Sequence, residues 1–420
     1  MSPLARRLVA VVTLLLALAL IAVLTLRAFG VPIALGPVAS ATIVPAATAS
    51  PAPSGEPTPA PDEVLAGVEA EVADIRDLAA ADIGPPDLIT RDALDRRLTE
   101  RFEEEYRPED AAADNVLLQG LGLLTADEDV AALQLQLLTG GVLGYYDPDA
   151  RAMVVVTDAG LTPEARVTYA HEYTHALQDS AFGMDTLDLQ RHGDDDGAVA
   201  GLSLVEGDAT TTMVLWAIDN LNPEEVLGIS QTPLPDTTGV PAWMIRLQEF
   251  PYLAGTDFTS RLYATGGFGA VDEAWADPPV STEQILHFRA YTDDEQPVAV
   301  ADMAPDLAAR GVTVMQATTL GEAMIGIWLD ALGMGEADAN AAAAGWGGDR
   351  IWAVTGSDGS VGVVLRIAWD VKVDADQFAS AYERVSPALP VIGQLDRVTD
   401  LEMVITQGST QALVDLLAAN

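Results

Sequence analysis

The chain has 420 residues, 49% of them hydrophobic and 20% charged, and its 63 acidic against 21 basic side chains leave a net charge of −42. This is the composition of a folded protein, and its acidity argues against nucleic acid and anionic lipid headgroups as partners. Cysteine is absent, which excludes disulfides, thiolate metal sites and cysteine nucleophiles and leaves burial, with or without a bound metal, to hold the domain together.

Arg6 and Arg7 precede an unbroken apolar run from Leu8 to Leu26, closed by Arg27. At about 1.5 Å per residue, these 19 residues nearly cross a hydrocarbon core of about 30 Å. Arginines before the run and an acidic bulk after it predict a signal anchor at 1–27, a transmembrane helix with the rest of the chain outside the cytoplasm. A cleaved signal peptide is the alternative, with Ala39-Ser40-Ala41 as its cleavage site. Residues 28–61, rich in Pro, Ala, Thr and Ser, read as an extended spacer between membrane and domain.

From 62 to 140 the pattern is helical. VEAEVADIRDLAA and ITRDALDRRLTERFEEEYRPED place apolar residues three and four apart, with Pro85-Pro86 between them. DEDVAALQLQLLTGG predicts a third helix that stops at Gly140-Gly141. Tyr145-Tyr146 and Met153 to Val156 then predict two strands joined by a turn at Asp147-Pro148-Asp149-Ala150. Thr162 suits an N-cap, Pro163 the first helical position and Glu164 the positive end of a following helix. Further helices are expected over 198–218, 242–252 and 257–275. After residue 346 the pattern changes. RIWAVTG and VGVVLRIAWDV alternate as strands across Ser357-Asp358-Gly359, then come a helix over 375–384, a strand at LEMVIT and a last helix over 410–419. The expected fold is α+β and mainly helical. Its folded stretches are a helical region at 62–140, a core at 141–345 and a C-terminal α+β subdomain at 346–420.

The helix beginning at Thr162 carries His171-Glu172-Tyr173-Thr174-His175. Residues four apart share one helix face, so both imidazoles can turn to one ion, and zinc accepts neutral imidazole. Glu172, directly after the first histidine, can reach a water that the metal acidifies and take its proton as general base. Val167, Ala170, Thr174 and Leu177 offer a packing face near the histidines. A catalytic zinc takes a third protein ligand and leaves a fourth position open. Glu206 is the choice, because a lone carboxylate in the apolar helix SLVEGDATT is costly to bury unless it meets a cation. An exposed Glu206 is the plain alternative. His192, in the Gly/Asp-rich stretch RHGDDDG, is the rival ligand. Asp179 and Asp208 are candidates to accept the other N–H of a ligating histidine.

HEYTHALQD followed by LVEGDA resembles the gluzincin branch of zinc metallopeptidases, the thermolysin-like group with an HExxH helix and a glutamate ligand on a later helix. The likeness covers Tyr169 to Asp179 and Leu202 to Ala209. It implies a zincin-like core within 141–345, Zn2+ held by His171, His175 and Glu206, and Glu172 as the base. It also implies an edge strand that pairs with an extended substrate, for which Met153 to Val156 is the candidate. The family pattern has an aspartate four residues after the glutamate ligand, where this chain has Thr210, so the carboxylate that orients a histidine must come from elsewhere. Such enzymes need a donor for the oxyanion, often Tyr or His. Tyr145, Tyr146, Tyr252, Tyr263 and His287 are available. Tyr263 and His287 are preferred because both lie in the stretch from Phe250 to Phe288, which resembles a segment of exported bacterial proteins of this type. The expected function is a zinc metallopeptidase acting on protein or peptide substrates outside the cytoplasm. The alternatives are a non-catalytic membrane-tethered envelope module and hydrolysis of a cell-wall cross-link. Residues 62–140 are a candidate inhibitory segment.

Overall fold

The structure is a computed structural model that describes residues 60–157, 160–189, 193–230 and 237–418. The expected anchor, nearly all of the expected spacer, and His192 lie outside the described residues. Among the described residues no helix is long and apolar enough to cross a membrane.

Helix α1 (Pro61–Arg76) comes first, followed by strand β1 (Asp87–Ile89) and helices α2 (Arg91–Glu105), α3 (Pro108–Gly120) and α4 (Val130–Gly141). The stretch expected as one helix through RPED divides at Arg107, whose backbone is extended. Pro108 disfavours helical backbone in the residue before it and suits the first position of the next helix. The expected hairpin forms as β2 (Gly144–Asp147) and β3 (Ala152–Val156). Helix α5 (Pro163–Phe182) starts at Thr162, whose hydroxyl accepts the Ala165 N–H at 3.2 Å.

Next come α6 (Asp195–Asn220), α7 (Pro223–Ser230) and α8 (Ala242–Gly266). Helix α8 runs straight through the expected break, carrying Pro251 inside it. It ends where Gly267 adopts a φ of 64°, open to glycine at little cost. Short helices α9 (Phe268–Ala276), α10 (Thr282–Leu286), α11 (Phe288–Thr292) and α12 (Ala304–Ala309) lead to β4 (Thr313–Thr318). The remainder is α13 (Gly321–Ala331), α14 (Glu336–Ala343), β5 (Trp346–Thr355), β6 (Val361–Trp369), α15 (Lys372–Val385), β7 (Ile392–Arg397), β8 (Glu402–Gly408) and α16 (Gln411–Ala418).

The fold is α+β with two sheets. The smaller has the order β1-β3-β2, with β1 parallel and β2 antiparallel to β3. Met153 to Val156, expected at the edge, therefore form the central strand, and β2 takes the edge. The cause is β1, a three-residue strand with no readable period of its own, which covers the open side of β3. The larger sheet has the order β4-β5-β6-β8-β7 and is antiparallel throughout. It begins with β4, ahead of the boundary expected at 346.

The expected helical region at 62–140 splits between the two sheets. Leu65, Val68 and Val72 of α1 pack with β3, α5 and the second half of α6. Leu98 and Phe102 of α2, Leu117 of α3 and Leu138 of α4 instead join one face of the larger sheet with α13 and α15. Helices α6 and α8 cross at near backbone contact, since a Cβ on Gly207 would stand 2.2 Å from the Gly255 carbonyl oxygen. Glycine is required there by space, and the crossing places Glu206, one residue earlier, over α5.

Candidate metal centre

Helix α5 carries His171 and His175 one turn apart, and α6 lies against it with Glu206 facing them. The two Nε2 atoms are 3.0 Å apart, and Glu206 Oε2 lies 3.1 Å from that of His171 and 3.5 Å from that of His175. The three residues are 0%, 7% and 1% exposed, so the exposed alternative for Glu206 does not hold. Among the described residues this is the group of three that could share a metal ion.

Burial disfavours the charged form of each group, but the neighbours decide the outcome. Burial leads for His171 and lowers its pKa to about 4, which keeps it neutral. Burial alone would raise Glu206, yet His175 and His171 pull it down to about 2. Burial likewise opposes charge on His175, and Glu206 outweighs it, raising the pKa to about 9.

Glu172 is buried, and its Oε2 accepts the backbone N–H of Tyr146 at 2.9 Å. That bond follows from strand register. The Val156 N–H donates to Leu143 O at 2.8 Å, and antiparallel alternation then turns the backbone groups of Gly144 and Tyr146 away from β3. The edge of β2 therefore faces the HExxH helix. The Tyr146 hydroxyl donates to Asp179 at 2.9 Å and ties the strand to α5 a second time.

The partner of His175 Nδ1 is Gln178 Oε1, at 2.8 Å. The Gln178 amide NH2 donates to Val205 O at 3.0 Å and to Asp208 Oδ2 at 3.1 Å, which leaves its carbonyl oxygen facing the ring. Asp208 also accepts from Arg76 Nε at 2.8 Å, Arg76 Nη2 at 3.2 Å and Trp275 Nε1 at 3.0 Å. Asp208 thus reaches His175 through Gln178, and Asp179 serves Tyr146. Neither touches an imidazole directly. For His171 Nδ1 there is no hydrogen-bond partner among the described residues. The sequence marks Gln178 only as part of the polar setting of the motif and not as a partner of His175, although a polar residue three positions after His175 lies on the same helix face.

Of the aromatic candidates, Tyr252 of α8 is the one beside the histidines. It is 1% exposed, with its ring centre 6.3 Å from that of His171. Tyr263 lies three turns further along α8, about 16 Å away by helical rise, half-exposed and packed on Phe268. His287 pairs with Glu322 at 2.8 Å beside a cavity of about 520 Å3, which is also lined by Phe250 and Leu253. Those two residues flank Tyr252 in sequence and so turn to other sides of α8. Neither Tyr263 nor His287 is brought to the cluster, because three helical turns separate Tyr263 from Tyr252 and His287, well beyond the end of α8, is held by Glu322.

A family model described as a domain of unknown function (DUF8575) matches residues 311–411. This stretch covers the five-stranded sheet with α13, α14 and α15 and does not reach the His–His–Glu cluster. No curated protein and no solved structure matches the chain.

Proposed function

We propose that the protein is a zinc-dependent metallopeptidase of gluzincin type, with His171, His175 and Glu206 as metal ligands and Glu172 as general base. The observation that carries this reading is the triangle of donor atoms with sides of 3.0, 3.1 and 3.5 Å. Donors about 2.0–2.1 Å from one tetrahedral ion stand about 3.3 Å apart. The three atoms are thus already near the spacing zinc needs, and two imidazoles with one carboxylate form a donor set that it accepts.

When bound, the ion supplies Lewis acidity, polarising a carbonyl and acidifying a water. Glu172 takes the proton of the attacking water and passes it to the leaving amine. The Tyr146 N–H holds that carboxylate in place. Tyr252, buried beside His171, is the candidate donor to the oxyanion. The edge strand β2, which runs beside the cluster, is the candidate to pair with an extended peptide by strand addition. The arginine-flanked apolar run at 8–26 supports a membrane tether with the activity outside the cytoplasm.

The test uses the purified full chain and its Glu172→Gln variant. Elemental analysis should find zinc in both, and hydrolysis of an unfolded protein should occur with the wild type alone. Metal in both without hydrolysis by the wild type would transfer the assignment to a non-catalytic envelope module.

A further inference from the structure

We infer that Arg76, on the N-terminal helix α1, is a positioning residue of the metal centre, and that α1 is part of that centre and not a removable inhibitory segment. This rests on the metal-centre reading above. Arg76 is 0% exposed. Its guanidinium bonds both oxygens of the equally buried Asp208 and also reaches Asp272 at 2.7 Å. Its carbon lies 4.6 Å from the ring centre of Phe268 and 5.6 Å from that of Phe182. A cation and a carboxylate buried together are each costly to leave alone, so the pair is locked.

The lock gives a direction to the chain of bonds that follows. Arg76 and Trp275 hold Asp208 as an acceptor, and Asp208 with Val205 O draws the Gln178 amide NH2. The Gln178 carbonyl then faces His175, so Nδ1 must donate and Nε2 is the nitrogen left to ligate. Removing Arg76 strips the cation from a buried carboxylate and takes from Gln178 one of the two acceptors that set its orientation. A reversed amide would present NH2 to Nδ1 and force the hydrogen onto Nε2, where the ion must bind.

Other bonds hold α1 down independently. The Tyr169 hydroxyl donates to Glu69, the Trp216 Nε1–H donates to Glu71 at 2.8 Å, and Leu65, Val68 and Val72 pack against α5. Loss of the Arg76 side chain can therefore be separated from loss of the helix.

The full chain, as wild type, Arg76→Met, Gln178→Leu and the double variant, is titrated with Zn2+ against a chromophoric chelator. The Co2+-loaded forms are compared by visible absorption. Each single variant should lose about 10- to 100-fold in zinc affinity and show shifted cobalt bands. The double variant should lose little more than the worse single one, because both act on one path. Folded Arg76→Met with wild-type affinity and wild-type cobalt bands would reduce Arg76 to a structural ion pair and overturn the inference alone. Failure of the wild type to bind either ion would overturn the metal-centre reading with it. Should Arg76→Met not fold, Arg76→Lys keeps the charge but loses the two-pronged bond to Asp208, and wild-type zinc affinity with wild-type cobalt bands there would also overturn the inference.

Discussion

In β5 and β6 of the larger sheet, successive residues enter two different cores, so that each face is buried separately, whereas in α5 and α6 burial runs around the whole helix. Ile351 and Ala353 of β5 face the core shared with α2–α4, while Trp352 and Val354 face the core under α12 and α16. Leu365 and Val364 of β6 divide in the same way. Nearly everything enclosed there is apolar. In α5 and α6 the buried set includes His171, Glu172, His175, Gln178, Glu206 and Asp208. Burying an unpaired polar group costs roughly 2–7 kcal/mol against an apolar reference, and the helical half offsets this by bonding these groups to one another, to Arg76 and Trp275, and to the Tyr146 and Val205 backbone. The sheet half is built for stability, and the helical half gives up some stability to hold a polar site.

The largest expected effect tests whether the halves are separable. Trp352→Ala should lower unfolding free energy by about 3–5 kcal/mol in denaturant titration, with zinc affinity of the folded protein unchanged. A parallel fall in affinity would mean that the sheet also shapes the metal centre. Gly207→Ala should do the reverse in kind. A Cβ 2.2 Å from the Gly255 carbonyl must push α6 and α8 apart, at about 1–3 kcal/mol, and should weaken zinc binding because Glu206 moves with the helix. Stability loss at full zinc affinity would show that the crossing is not what places Glu206.

The smallest effect lies at the seam, where α10 packs on both α6 and α13. Burial, then Asp370, Glu322 and Glu295, push the Glu283 carboxyl up to about 9 from an ordinary value of 4.5. A raised carboxyl pKa means that the folded state holds the proton more tightly. The associated stability is complete below pH 4.5 and is lost as pH rises through about 9. Glu283→Gln should therefore raise the melting temperature more at pH 9 than at pH 5. An equal shift at both would show that this carboxyl does not titrate across the seam.

Local rules made much of the site legible. Thr162-Pro163-Glu164 marks the start of α5 because capping depends only on adjacent residues, and β5 and β6 were readable because strands packed between two cores are apolar almost throughout and a Ser357-Asp358-Gly359 turn separates them. The division at Arg107 was missed because the apolar spacing continues across it and only Pro108 interrupts. The strand β1 carries too few residues for a period, and β4 and β7 give no strand signal because β4 is only partly buried and β7 is exposed at every position but Leu395.

The sequence by itself determined that His171 and His175 share one helix face, since helical period is a local fact, but it left Glu206 either exposed or buried, and only the packing of α6 on α5 buries it against both imidazoles. Tertiary structure alone decided that β2 is the edge strand, that Tyr252 and not Tyr263 faces the histidines, and that Arg76 reaches Asp208 across 132 residues of chain. These depend on which side of β3 is covered and on how α8 and α1 settle against α6, and such pairings arise only when distant surfaces compete for the same neighbour.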